Sequence, residues 1–286
     1  MNNNNNKRHK FLIWIFLPTI LAILIQYALS MMLIEFFVVD GFANYSGGGF
    51  VNLFSEVIER FVDYADWIEL AYAIVAGIIA ICIYRNVFAE DGRVSLQECS
   101  DNKAFTIGGI VLFSLGMQYV STYLINAVSA VFPSWLEEYE ELMEAAGLDS
   151  ETITIVMFLY AVVFAPICEE LLFRGITFSA AKKLMSPYAA ILVQAIMFGA
   201  FHMNKLQGTY AFVLALGMGY IMYLYDNLLI TIVIHMLFNL IGTVGANYLP
   251  SGGDTLISFF VWSLGSLIVT YVSILLLKKG AKGRDV

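Results

Sequence analysis

Charge is what this sequence has least of. Only 13% of its 286 residues are Asp, Glu, Lys or Arg, against about 25% in an ordinary soluble domain. Hydrophobic residues make up 60% of the chain, and the mean hydropathy is +0.78. This balance excludes a soluble globular protein and describes a polytopic membrane protein. No stretch is long and polar enough for a separate soluble domain, so one helical bundle takes up the length. Cysteine is scarce as well. Cys82, Cys99 and Cys168 have no paired spacing, which speaks against a disulfide framework or a zinc knuckle. Cys168 reads as a small buried filler. An internal repeat is also missing, and interrupted helices do not recur in two halves, which counts against a secondary transporter. No nucleic-acid partner is expected.

The charge that is there is unevenly placed. Net charge is −8, yet six acids with Arg60 fall between Asp40 and Glu69, and seven acids with no base between Pro133 and Glu151. The rest of the chain is therefore net positive. The apolar runs give eight expected spans: Phe11–Val39, Ile68–Phe88, Ala104–Phe132, a helix after Asp149-Ser150 reaching Lys183, Pro187–Met203, Thr209–Tyr225, Leu228–Tyr248 and Thr255–Leu277. Two amphipathic segments lie between spans. Val51–Trp67 carries Phe61, Tyr64 and Trp67 for the interface, and Ser134–Gly147 is acidic. Residues 1–10, an Asn run followed by Lys7, Arg8, His9 and Lys10, read as a disordered cytoplasmic tail. Residues 11–277 form a single membrane domain, with a catalytic core at about 150–248, and 278–286 form a second cytoplasmic tail. Lys10, Arg85, Arg93, Lys103, Lys182, Lys183, Lys278, Lys279, Lys282 and Arg284 then share one side with the N-terminus, and only Arg60 and Lys205 fall on the other. By the positive-inside rule both termini are cytoplasmic. The expected fold is an all-α polytopic membrane helical bundle in a bacterial plasma membrane.

The fourth helix holds the costliest residues. Glu169 and Glu170 are adjacent acids in an apolar span, where a charge costs about 2.5–3.5 kcal/mol on insertion scales. The span has a cap candidate in Asp149-Ser150 and no stop signal for roughly 34 residues, about 50 Å of helix, so it should overrun the bilayer at Lys182-Lys183. Pro166 is placed to kink it. Glu170 and Arg174 are i,i+4, the favourable order for an ion pair, while Glu169 points about 100° away. Two histidines lie in spans, His202 and His235. Counting from the turns at Ser186 and Asp226 puts Glu170, His202 and His235 at compatible heights in the inner half of the membrane. Phe198 and His202 are i,i+4, as are His235 and Asn239. Gln118, Asn126 and Gln194 read as hydrogen bonds between helices, and Gly199, Gly217 and Gly219 as close-packing positions.

A carboxylate and an imidazole converging in a dry site can hold and deprotonate a water. A second imidazole and an amide on one helix face can donate to a developing oxyanion. One Glu and two His can instead hold Zn²⁺ with an open position. The residue pattern leaves both mechanisms open.

Glu169-Glu170…Arg174, Phe198…His202 and His235…Asn239, in this order, resemble the three motifs of the CAAX-protease and bacteriocin-processing (CPBP, or Abi) family of intramembrane endopeptidases, which includes the type II CAAX prenyl endopeptidases. The resemblance covers about 152–246 and leaves no motif position altered. It implies that Glu169 and His202 activate water, that His235 and Asn239 form an oxyanion site, and that Glu170, Arg174 and Phe198 support them. The family has been read both as metalloproteases and as glutamate-based proteases. The expected mechanism is the glutamic one, without cofactor, with Glu169, His202 and His235 as the ligands if zinc is bound. The implied substrate is a membrane-associated or lipidated, CAAX-like peptide or protein cleaved on the cytoplasmic side, in peptide processing or bacteriocin self-immunity. A proton-coupled transporter using the Glu/His set as a relay, and a non-catalytic membrane immunity or scaffold protein, are the alternatives from other classes.

Overall fold

The structure is a computed structural model that describes residues 2–44, 47, 49–88, 100–148, 153–245, 248–250, 252 and 255–282, with side chains from Lys10 onward. Among the described residues the chain is helical, apart from an isolated bridge between Ser100 and Ala281. We number the helices α1 (Asn2–Ala43), α2 (Phe50–Asp63), α3 (Ala65–Phe88), α4 (Lys103–Val131), α5 (Pro133–Ala145), α6 (Ile155–Lys182), α7 (Pro187–Phe201), α8 (Lys205–Tyr225), α9 (Leu228–Gly245) and α10 (Leu256–Gly280). Seven of them, all but α2, α5 and α7, are long and apolar enough to cross a membrane.

The count differs from the expected eight through α7. Its 15 residues span about 22 Å, short of a hydrocarbon core of about 30 Å. The helix stops because His202 caps it, Met203 turns to φ 51° and Asn204 already caps the next helix, accepting from the Leu206 and Gln207 amides. Lys205, expected in a loop, is thus the first residue of α8. The Asn-rich tail, expected to be disordered, continues α1 back to Asn2: once the apolar run is helical, each added residue gains a backbone bond without a new nucleus. The start of α6 also differs. Asp149 and Ser150, the expected caps, lie outside the described residues. Thr154 caps the helix instead, accepting from the Met157 amide, and α6 runs 28 residues rather than about 34. Arg93, Cys99 and Arg284 also lie outside the described residues.

Side-chain contacts sort the helix ends into two groups. At one end Lys183 sits over Phe11, Lys182 pairs with Asp226 at 3.1 Å, and Tyr225 bonds both Thr106 and the Leu277 carbonyl. Lys279, over the Phe105 ring, is at this end as well. At the other end Arg60 pairs with Asp40, Thr154 bonds Asp66, Tyr119 and Tyr123 reach the Pro250 and Gly252 carbonyls, and Lys205 pairs with Glu138. Phe11 near the start of α1 and Leu277 near the end of α10 both lie at the basic end of the bundle.

Close packing uses small residues, as membrane helices must when lipid is as apolar as their own side chains. α7 and α8 cross at Gly199 and Gly208, where a Cβ on either would lie 2.7 Å from the other's carbonyl oxygen. Gly217 and Gly219 also face close neighbours. Gln194 bridges the same two helices through a 2.7 Å bond to the Ala215 carbonyl, as expected. Gln118 Oε1 is buried without a partner, and Asn126 makes no side-chain hydrogen bond among the described residues, so neither is the interhelical tie the sequence suggested. The central helix is α6: all eight residues from Leu171 to Phe178 are buried. By contrast α10 exposes a file of large apolar side chains, including Phe260, Leu264, Ile268 and Tyr271, as a lipid-facing helix does.

Candidate active site

The site grows out of an irregular α6. Tyr160–Phe164 and Leu171–Phe178 are π-helical, and the α-helical turn between them, Ala165–Glu170, carries Pro166 at its start. Proline has no amide to donate, and its ring displaces the carbonyl before it. The wider π turn accommodates this, and such turns often mark functional positions. The expected kink is thus a change of helical winding that sets where Glu169 and Glu170 point.

Glu170 is fully buried and bonds Arg174 Nη1 at 2.8 Å. Arg174 is itself fully buried, with its guanidinium carbon 4.5 Å above the centre of the Phe198 ring. The same Glu170 oxygen, Oε1, accepts from His235 Nδ1 at 2.9 Å. A carboxylate held by an arginine can only accept, so Nδ1 donates and Nε2 is the nitrogen left for another partner. Nε2 faces Glu169, 3.7 Å from Oε2. That is beyond hydrogen-bond range, and Glu169, 12% exposed at its side chain, makes no hydrogen bond among the described residues. The two adjacent acids have therefore separated, as the helix geometry required: Glu170 is buried in an ion pair, and Glu169 keeps a free carboxylate beside an imidazole.

His202 joins from α7. Its Nδ1 donates to the Phe198 carbonyl at 2.8 Å, which again leaves Nε2 open. Its ring stands edge-on to Phe198 with centroids 4.9 Å apart, and His235 lies on the same ring at 5.9 Å. Phe198 is thus the common surface for Arg174, His202 and His235. No hydrogen bond or ion pair joins His202 to Glu169 among the described residues. The imidazole beside Glu169 is His235. Asn239 donates to the Ala161 carbonyl at 2.7 Å. Ala161 lies in the first π-helical turn of α6. Asn239 therefore ties α9 to α6 and has one N–H left for anything else.

The residues proposed as zinc ligands, Glu169, His202 and His235, do not close into a metal site. Among the described residues, no three His, Cys, Asp or Glu side chains are gathered to hold an ion.

Residues 151–241 match the family model described as Type II CAAX prenyl endopeptidase Rce1-like. Over these residues the chain is similar to that family. The match takes in α6 to most of α9 and so contains every motif residue named above; α1 to α5 and α10 lie outside it. It supports a CAAX-type intramembrane endopeptidase in general, and with the apolar helices it makes the chain an integral membrane protein. No curated protein and no solved structure matches the chain significantly.

One in-span acid escaped the sequence reading. Glu69 counts with the acidic outer segment, but it lies on α3, where Gln26 Nε2 donates to its Oε1 at 2.8 Å. The signal was there: three residues on, at helical spacing, comes Tyr72, a second polar group in an apolar span.

Proposed function

We propose that the protein hydrolyses a peptide bond of a membrane-associated or lipidated, CAAX-like peptide, with Glu169 as the general base. The observation that carries this reading is the division of labour between the two acids. Glu170 is neutralised by Arg174 and fixes His235, while Glu169 is left without a hydrogen bond beside the open Nε2 of that ring. Glu169 takes a proton from water as the water oxygen attacks the scissile carbonyl carbon. The proton then passes to the leaving nitrogen as the C–N bond breaks, which returns Glu169 to its starting state. His235 and the open Nε2 of His202 supply polar contacts around the reacting atoms, and the second N–H of Asn239 is available to the oxyanion. The basic end of the bundle is the cytoplasmic end, and the membrane is a bacterial plasma membrane. A role in precursor processing or in bacteriocin self-immunity is consistent with such an activity.

The test is cleavage of a synthetic CAAX peptide by the purified protein, run with and without chelator. Glu169→Gln should abolish turnover with the fold retained, and activity should survive the chelator. Full activity in Glu169→Gln would sink the assignment of the base.

A further inference from the structure

Hydrolysis consumes one water per bond cleaved, and Glu169 lies in an apolar span with only 12% of its side chain exposed. Water needs a polar route to it. α3 packs along the stretch of α6 from Tyr160 to Glu170, and between these helices and α1 lies a set of polar groups that the three motifs leave unused. Gln26 holds one oxygen of Glu69, while the other, Oε2, is buried with no partner. The Tyr160 hydroxyl faces the Glu69 carboxyl. One turn along α3 the Tyr72 hydroxyl, on a residue 2% exposed, is also buried without a partner and lies beside Cys168, the residue before Glu169. Both tyrosine hydroxyls stand within electrostatic reach of Glu69 and of Glu169. The set begins one turn from Asp66, which bonds Thr154 at the exposed acidic end of the bundle.

Buried polar atoms are rarely left without a hydrogen bond, and water is the usual partner where two to four such groups surround a small space. A file of such atoms that starts near a surface and ends at a general base is the shape of a water route. We propose that Gln26, Glu69, Tyr72 and Tyr160 form a hydrated polar path that brings water from the Asp66–Thr154 end of the bundle to Glu169. The inference rests on the endopeptidase reading for its purpose, but not for its existence. It also gives the two ends of the bundle different tasks, with water arriving from the acidic end.

Hydroxyl-radical footprinting read by mass spectrometry tests it on the full-length protein in lipid nanodiscs, because buried tyrosines react only where water is close. Tyr72 and Tyr160 should be oxidised faster than Tyr271, which is exposed on the lipid-facing side of α10. Glu69→Leu should slow that labelling and lower kcat about tenfold or more with KM unchanged, whereas Glu69→Gln, still polar and of the same size, should keep both. Labelling of Tyr72 and Tyr160 no faster than Tyr271 overturns the proposal, as does full kcat in Glu69→Leu. The wild-type footprint needs neither a variant nor activity. An inactive protein with strongly labelled tyrosines would refute the protease reading and leave the path standing, and the converse result would do the opposite.

Discussion

Replacing Arg174 with Leu would leave the Glu170 carboxylate buried at 0% exposure with His235 Nδ1 as its remaining donor. Breaking a buried ion pair from one side costs about 3–5 kcal/mol, because the other charge is stranded. The lost cation–π contact with Phe198, 4.5 Å from ring centre to guanidinium carbon, places the expected value toward the upper end. At about 1.4 kcal/mol per factor of ten, the folded population should fall at least a hundredfold relative to the unfolded. Equilibrium unfolding in mixed micelles with rising SDS would read this as an earlier midpoint. Glu170→Leu combined with Arg174→Leu removes both charges at once, so it should be more stable than the sum of the two single changes predicts. It should not regain activity, because His235 loses the acceptor that holds its ring. A loss under about 0.5 kcal/mol for Arg174→Leu, or strict additivity in the double variant, would refute the idea that the pair acts as a unit.

Glu169→Gln should lower kcat by about 10²–10⁴ with little change in stability, since its carboxylate makes no hydrogen bond; peptide cleavage and micelle unfolding check the two halves of that statement. Gly199→Ala and Gly208→Ala each put a Cβ 2.7 Å from a backbone oxygen, so each should push α7 from α8, displace His202 and cost about 1–3 kcal/mol, and a cysteine cross-link across α7 and α8 should form more slowly. Asn239→Ala removes the 2.7 Å tie to the Ala161 carbonyl and should destabilise by about 1–3 kcal/mol in addition to slowing turnover; a pure kcat effect at unchanged stability would show that the bond to α6 carries little. Lys205→Ala loses an exposed pair with Glu138 and should change stability by less than about 1 kcal/mol in the same unfolding assay.

Most of the architecture was legible because lipid imposes it. Apolar runs of about 20 residues can only be helices there, since every backbone group must be satisfied within the segment. The places where the reading slipped are local. α7 is short because Met203 takes a left-handed turn, which its side chain does not advertise. The start of α6 differs because Thr154, as good a cap by type as Asp149-Ser150, accepts from the Met157 amide and opens the helix at Ile155.

The same division runs through the site. The sequence by itself determined that Glu170 and Arg174 could pair, that Glu169 had to point elsewhere, and that His235 and Asn239 share a face, because 3.6 residues per turn fixes directions within one helix. It could not say what one helix does to another. The tertiary structure decided that His235, rather than His202, is the imidazole beside Glu169, that Phe198 is the surface on which Arg174 and both histidines meet, that Asn239 reaches the Ala161 carbonyl, and that Gln26 on α1 bonds Glu69 on α3. Those relations depend on how closely glycines let helices approach and on how the π turns of α6 rotate its side chains. Both are properties of packed helices, and neither is written in the spacing of any one of them.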